Sequence, residues 1–288
     1  MAVFPSTVRS ADLPGGRFAW LEAGEQGAPV ALCLHGFPDH PRTFEPLLAP
    51  LLAAGYRVVA PWMRGYVPSV HAGPYHLRRL GQDALELAAA AGGGSPVLLL
   101  GHDWGALAGW SAAASEPERL RALVALSVPH PATFVRNLPR HPLQLLRSWY
   151  VAAAQIPFLP ERLIARRDFA AIAALFEATD GRLPPYWDEL RETLRASFPA
   201  PLDYYRALRR HPLHAGIVRV PTLHLTGARD AAVGVEMGRD QERRIDAPFT
   251  SAVLPANHFV HHELPDEVAR RILAFVDRTA GGTAGTRR

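Results

Sequence analysis

The sequence predicts an α/β protein, in which a mostly parallel sheet is flanked by helices and interrupted by a helical unit. Up to residue 130, short apolar runs typical of buried strands alternate with segments of helical periodicity, and this alternation returns after residue 212. Residues 131–212 contain prolines and aromatic residues but no run typical of a strand. We therefore expect residues 1–130 and 213–288 to form the sheet domain and residues 131–212 to form a helical cap.

Seven apolar runs are predicted to be strands. They are GRFAWLEAG, PVALCLHG, GYRVVAP, PVLLLGHD, RALVALSVP, PTLHLTG and FTSAVLPA. No clear helical segment separates the first runs, which predicts an antiparallel edge, whereas helical segments between the later runs are typical of parallel strands. Helices are also predicted around GVEMGRDQERRI and at DEVARRILAFVDR.

The composition excludes several classes of protein. With 48% hydrophobic and 20% charged residues, the chain of 288 residues can bury a substantial core and is not disordered. Its net charge of +4 comes from scattered arginines interspersed with acids, so we expect solvated helix faces and no nucleic-acid partner. The single cysteine, Cys33, forms no internal disulfide and fits a cytoplasmic protein. No signal peptide or membrane-spanning run is evident, so no membrane partner is expected, and the oligomeric state is not indicated.

The strongest motif is Gly-His-Asp-Trp-Gly at residues 101–105, between a predicted strand and a predicted helix. It has the form Gly-x-nucleophile-x-Gly, in which small residues let strand and helix pack through a sharp turn that presents the central side chain. The central residue is Asp103. Because a glycine-flanked aspartate alone is more often a helix N-cap, its interpretation as a nucleophile depends on the rest of the chain.

A second turn, His-Gly-Phe-Pro at residues 35–38, ends the predicted strand PVALCL. A glycine turn at this point can aim backbone N–H groups outward. The N–H groups of Phe37 and Trp104 would then form an oxyanion hole, a pair of donors that stabilises negative charge on an oxygen atom. We expect His35 in the same turn to contact substrate.

Two further residues complete a catalytic triad with Asp103. Asp230 and His258 each follow a predicted strand, so their side chains can converge on one edge of the sheet. The chain order of nucleophile, acid and histidine is one of the known orders for such triads. By contrast, His261 and His262 are expected on a solvated approach to the last helix.

The motifs HGFPDH, RGYVPS, GHDWGA, RSWY, QIPFLPE, DYYRA, GARD and NHF together resemble the epoxide hydrolase branch of the α/β-hydrolase superfamily, which is related to the haloalkane dehalogenases. The resemblance implies an α/β-hydrolase fold with a helical cap inserted after the sixth strand, above the active site. It also implies two cap tyrosines that hold the epoxide oxygen, which by local motif are Tyr150 and Tyr205. Neighbouring Trp149 and Tyr204 leave that alignment open.

The residue types suit displacement at an sp³ carbon. A carboxylate with a reference pKa of about 3.9 is already charged at neutral pH, so Asp103 can attack without a base and form an ester. His258, oriented by Asp230, would then activate a water molecule that hydrolyses this ester. No metal or organic cofactor is expected, because the chain shows neither zinc-ligand spacing nor a phosphate-binding glycine loop.

The leaving group distinguishes the possible activities. An opening epoxide generates an alkoxide that needs a proton, which two phenols can provide, whereas a departing halide needs only N–H donors such as the indoles of Trp104 and Trp149. The tyrosine pair favours an epoxide hydrolase over a haloalkane dehalogenase, with Trp149 as a substrate contact in either case. A catalytically inactive binding protein of the same fold is the third alternative, and the complete triad argues against it.

Overall fold

The computed structural model describes residues 2–5 and 7–281. Its sheet has eight strands in the spatial order β1-β2-β4-β3-β5-β6-β7-β8. The strands are β1 (Val8–Leu13), β2 (Gly16–Ala23), β3 (Val30–Leu34), β4 (Arg57–Pro61), β5 (Val97–His102), β6 (Leu120–Leu126), β7 (Thr222–Gly227) and β8 (Phe249–Leu254). Only β2 runs antiparallel to its neighbours, so β3 to β8 form a parallel sheet whose strands all end at the same edge.

Twelve α-helices occur in the described part of the chain. They are α1 (Glu45–Ala53), α2 (Leu77–Gly92), α3 (Trp104–Ser115), α4 (Pro131–Asn137), α5 (Pro142–Arg147), α6 (Trp149–Ala153), α7 (Leu159–Ala165), α8 (Ala170–Asp180), α9 (Trp187–Ser197), α10 (Asp203–Ala207), α11 (Val260–Glu263) and α12 (Pro265–Gly281). Helices α4 to α10 all lie between β6 and β7. None of the twelve is long and apolar enough to cross a bilayer.

Three sequence-based expectations about the elements are wrong. Strand β1 was missed because its sequence VRSADL is largely exposed at the sheet edge and lacks an apolar run. Helix α1 separates β3 from β4, which are parallel, because its sequence EPLLAPLLA is apolar nearly all round and shows little helical periodicity. The segment GVEMGRDQERRI forms two short 3₁₀ turns at Val235–Gly238 and Gln241–Arg244, interrupted by a left-handed residue, Asp240.

Close packing of α3 against the sheet fixes the position of the turn between β5 and α3. Strands β3, β5 and β7 are buried along their whole length, as expected for strands covered by helices on both faces. A Cβ atom at Gly105 would lie 2.5 Å from the carbonyl carbon of Leu34, so only glycine allows α3 to start this close to β3. The turn from β5 into α3 is therefore pressed against the end of β3.

Candidate active site

Asp103 occupies the turn between β5 and α3 in a conformation that L-residues rarely adopt, with φ 52° and ψ −118°. Such backbone strain persists only where the surrounding structure imposes it, and it is frequent at catalytic sites. The side chain makes no capping hydrogen bond to α3, although Asp103 precedes that helix. The alternative interpretation as a helix N-cap is therefore excluded, because the carboxylate points away from the free amides of α3.

The Asp103 carboxylate instead points at the turn after β3. Its Oδ1 accepts a 2.8 Å hydrogen bond from the backbone N–H of Phe37. Gly36 makes this approach possible, since a Cβ atom there would lie 2.7 Å from the Asp103 Cγ. Trp104 is the first residue of α3, so its N–H has no acceptor within the helix. Both predicted oxyanion-hole residues thus flank the carboxylate.

His258 lies between the two acidic residues. Its Nδ1 is 2.7 Å from Oδ2 of Asp230, and its Nε2 is 3.8 Å from Oδ2 of Asp103. The other oxygen of Asp230 accepts the backbone N–H groups of Ala232 at 2.7 Å and Val233 at 2.9 Å. Although burial opposes ionisation, the charge of His258 and these hydrogen bonds lower the pKa of Asp230. The acid is thus held as a carboxylate aimed at the imidazole.

The electrostatic surroundings favour a protonated His258. Burial lowers its pKa, but the charges and hydrogen bonds of Asp230 and Asp103 outweigh burial and raise the pKa of His258 to about 10. The side chains of His258 and Asp103 are only 10% and 15% exposed, so water screens them little. An imidazolium paired with the Asp230 carboxylate is therefore expected in the resting site near neutral pH.

Two tyrosines from the helices between β6 and β7 lie near Asp103. The rings of Tyr150 on α6 and Tyr205 on α10 meet edge to face, with centroids 5.6 Å apart. Burial and the nearby charge of Asp103 raise the pKa of both phenols, so both hydroxyls stay protonated. The hydroxyl of neighbouring Tyr204 donates to the backbone carbonyl of Arg64 instead. The structure therefore directs Tyr204 toward Arg64, whereas Tyr205 lies with Tyr150 near Asp103.

The structure contradicts two predicted substrate contacts. The Trp149 side chain is 69% exposed, because its position on α6 faces outward while Tyr150 faces inward. His35 is fully buried, and both its ring nitrogens meet backbone groups, the carbonyl of Gly36 at 2.9 Å and the N–H of Met63 at 3.2 Å. His35 therefore shapes the turn after β3 rather than touching substrate.

The expected exposure of His261 and His262 is also wrong for the first of them. His261 is fully buried, and its Nε2 lies 2.9 Å from Oγ1 of Thr43. Burial and the neighbouring histidines hold the pKa of His261 well below its usual range. His261 therefore packs α11 against the 3₁₀ turn at Pro41–Phe44 and is not a member of the triad.

Of the residues that support the triad, Ser127 and Gln144 were not identified from the sequence, whereas His102 was expected to pack or support. Ser127 Oγ donates to the backbone carbonyl of His258 at 2.5 Å, and Nε2 of His102 lies 3.1 Å from the same oxygen. Gln144, buried on α5, accepts the N–H of Gly234 at 2.8 Å and donates to the carbonyl of Ala232 at 2.7 Å. Ser127 could have been noticed because it directly follows β6, whereas no local signal marks Gln144.

The fold and the triad arrangement define a known class of protein. The chain belongs to the alpha/beta hydrolase family, whose family model matches residues 31–271. Among its relatives, Epoxide hydrolase 4 of Mus musculus is 33% identical over 277 residues, which is 91% of this chain and 77% of the mouse protein.

Solved structures give the same result. Epoxide Hydrolase A from Mycobacterium thermoresistibile has a TM-score of 0.79 and 27% identity, and the match covers 93% of this chain and 97% of that one. The epoxide hydrolase of Bacillus megaterium, crystallised with an inhibitor, has a TM-score of 0.83 and 25% identity over 93% of this chain and 100% of its own. The predicted α/β-hydrolase fold and the resemblance to epoxide hydrolases are both confirmed.

Proposed function

We propose that the chain hydrolyses epoxides to vicinal diols through an ester on Asp103. The observation that carries this proposal is the pair of protonated phenols, Tyr150 and Tyr205, that faces the Asp103 carboxylate. An epoxide placed between them has its oxygen at the phenols and a ring carbon at the carboxylate. This arrangement supplies both the nucleophile and the hydrogen-bond donors that ring opening requires.

In the first step, an Asp103 oxygen forms a bond to a ring carbon while the carbon–oxygen bond of the epoxide breaks. The electron pair of that bond moves to the epoxide oxygen, which takes a proton through the tyrosine hydroxyls. One of the tyrosine hydroxyls gives this proton directly, and in the wild type the protonated His258, whose pKa is raised to about 10, then returns a proton to the tyrosinate. The products are a hydroxyalkyl ester on Asp103 and a neutral His258.

Ester formation prepares the second step. It removes the negative charge of Asp103, one of the two charges that raise the pKa of His258. The now neutral imidazole accepts a proton from water, and the resulting hydroxide attacks the carboxyl carbon of Asp103. The N–H groups of Phe37 and Trp104 stabilise the oxyanion. Collapse breaks the ester bond, the diol oxygen takes the carboxyl proton, and Asp103 and protonated His258 are restored.

We further propose that the helices α4 to α10 act as a cap over this site, with the boundaries at residues 131 and 212. The support is that Tyr150 and Tyr205 both come from this region, while the triad comes from loops after β5, β7 and β8. The low exposure of Asp103 agrees with such a cover.

The buried Cys33, which forms no disulfide, supports a reducing location such as the cytoplasm.

A haloalkane dehalogenase needs two N–H donors for the halide, and the expected pair does not meet here. Trp149 points to solvent, and the ring of Trp104 packs edge to face against Tyr205, with centroids 5.2 Å apart. The observations therefore favour an epoxide as substrate. An inactive binding protein would have no need for the intact Asp103, His258 and Asp230 geometry.

Mass spectrometry of two variants tests the covalent route. After mixing with styrene oxide, His258→Ala is expected to gain the mass of one substrate on the peptide that contains Asp103, because ring opening proceeds but hydrolysis stops. Asp103→Ala is expected to gain none. If His258→Ala stays unmodified under turnover conditions, the proposed ester intermediate on Asp103 is contradicted.

A substrate panel tests the leaving group. Aryl and alkyl epoxides are compared with matched haloalkanes, using wild type, Tyr150→Phe and Tyr205→Phe. We expect diol formation to fall in both variants by at least about 100-fold, the usual contribution of general acid catalysis. Tyr204→Phe is the matched control, since its hydroxyl binds the backbone of Arg64. Halide release that is unaffected by the two tyrosine variants contradicts an epoxide hydrolase.

A further inference from the structure

The outer surface of the inserted helices carries an unusual concentration of apolar side chains. Fourteen large apolar side chains are exposed among the described residues, and eight of them lie in residues 143–163. We call these eight the apolar cap face: Leu143, Leu145, Leu146, Trp149, Ile156, Phe158, Leu159 and Leu163. Three of them, Leu146, Trp149 and Phe158, are 71%, 69% and 72% exposed.

The members of this face lie close together in the chain and are not scattered over the molecule. They come from the consecutive helices α5, α6 and α7 and the short link between α6 and α7. On α5, Leu143 and Leu146 are spaced three apart, which places their side chains on the same side of the helix. Water-soluble monomers rarely expose apolar patches of this extent unless the patch binds something.

Positive charge surrounds the apolar cap face. Residues 140–168 contain five arginines and two acidic residues, Glu161 and Asp168. Asp168 pairs with arginines on α9, and Arg147 pairs with Glu236. Glu161 pairs with Arg206, which lies on α10. Within the described residues, no acidic side chain pairs with Arg140, Arg162, Arg166 or Arg167, all of which are exposed. Exposed apolar groups are therefore bordered by uncompensated positive charge.

We propose that the apolar cap face binds the surface of a negatively charged phospholipid bilayer. Tryptophan, phenylalanine and leucine side chains would enter the headgroup region, while the arginines contact lipid phosphates, as in amphipathic segments that lie along a membrane. A second copy of this chain is a poorer partner, because pairing two such faces brings like charges together. The proposal departs from the expectation of no membrane partner, which was drawn from the lack of a membrane-spanning run, since binding at the surface requires no spanning helix.

Vesicle co-sedimentation tests this proposal without reference to enzymatic activity. The full chain is mixed with vesicles of phosphatidylcholine alone or of phosphatidylcholine with phosphatidylglycerol. We expect binding only to the anionic vesicles, and weaker binding as salt is added. The double variant Leu146→Ser/Phe158→Ser and the triple variant Arg162→Gln/Arg166→Gln/Arg167→Gln are each expected to weaken the partition constant by on the order of tenfold or more.

Matched controls separate this face from exposed apolar and basic groups in general. Val253→Ser removes a side chain that is 57% exposed on β8, and Arg243→Gln removes an exposed arginine outside the cap. Both are expected to bind like wild type. Equal binding by all variants, or none to anionic vesicles, overturns the proposal. So does a concentration-dependent dimer in analytical ultracentrifugation that Leu146→Ser/Phe158→Ser abolishes, because the face would then join two copies.

Discussion

Replacing Asp103 by asparagine removes one of the two negative charges beside His258 while keeping the shape of the side chain. The Nε2 of His258 lies 3.8 Å from Oδ2 of Asp103, and both side chains are at most 15% exposed. Two unit charges at this separation interact by about 4 kcal/mol at an effective dielectric constant of about 20. Removing the charge should therefore weaken proton binding at His258 by on the order of a thousandfold.

The same neutralisation occurs when Asp103 becomes an ester, so Asp103→Asn imitates the electrostatics of the intermediate. In wild type the pKa of His258 is raised to about 10 from its unfolded value of 6.5. This shift stabilises the folded protein, and the stabilisation is fully present when the pH is below 6.5. That contribution is lost as pH rises through about 10. In Asp103→Asn we expect a lower pKa for His258 and a neutral imidazole over a wider range of pH.

Nuclear magnetic resonance of the histidine rings against pH measures this effect. The spectrum of His258→Gln identifies the His258 signal among the 13 histidines. Asp168→Asn, which removes a carboxylate bound to Arg195 on the surface, is the control and should leave the His258 titration unchanged. Equal proton affinity of His258 in wild type and Asp103→Asn would refute the idea that Asp103 governs the protonation of this histidine.

Three further substitutions have defined outcomes. Gly36→Ala places a Cβ 2.7 Å from the Asp103 Cγ, so we expect kcat/KM for epoxide opening to fall by about 100-fold, as for misplacement of a reacting group by about 1 Å. Gln144→Leu leaves the Gly234 N–H without its acceptor, which should cost about 1–3 kcal/mol in urea unfolding and also lower kcat. Burial lowers the pKa of His130 in the folded protein from 6.5 to about 4. As pH falls, His130 is therefore protonated in the unfolded chain before it is protonated in the folded protein. Stability should thus decrease by about 2 kcal/mol between neutral pH and about pH 5, and His130→Gln should remove that part of the decrease.

Gly36→Ala and Gln144→Leu each have a matched control. Gly216→Ala meets its nearest atom only at 3.8 Å and should leave kcat/KM unchanged. Gln26→Leu removes an exposed amide far from the triad and should leave kcat unchanged. An active Gly36→Ala enzyme, a Gln144→Leu protein as stable as wild type, or an unaltered pH dependence in His130→Gln would each contradict the corresponding argument.

The local sequence was sufficient to predict the three residues of the triad. Asp103 and Asp230 follow the buried strands β5 and β7, and His258 follows the partly exposed edge strand β8. Parallel strands end at one edge, so the convergence of these residues was predictable without coordinates. Tyr205 was separated from Tyr204 only in three dimensions, because consecutive residues on a short helix face different neighbours. The same reason explains why Tyr150 faces inward while its neighbour Trp149, which was expected to contact substrate, faces solvent.

Other features depend on contacts between distant parts of the chain. Gln144 binds the amide of Gly234, which lies 90 residues away, and a polar residue in a helical region gives no hint of such a partner. Strand β1 is held by pairing with β2 rather than by its own burial. Tyr66 covers the His35 ring through an edge-to-face contact with centroids 4.7 Å apart, which the local motif does not reveal.

The Gln144 contact has a consequence for redesign of the enzyme. Helix α5 and the loop that carries Asp230 share three hydrogen-bonding groups, the side chain of Gln144 and the backbones of Ala232 and Gly234. A cap transplanted from another hydrolase would therefore alter the acid loop as well as the substrate cavity. Chimeras that retain glutamine at this position are expected to keep turnover, and those that lose it need a compensating substitution in the loop.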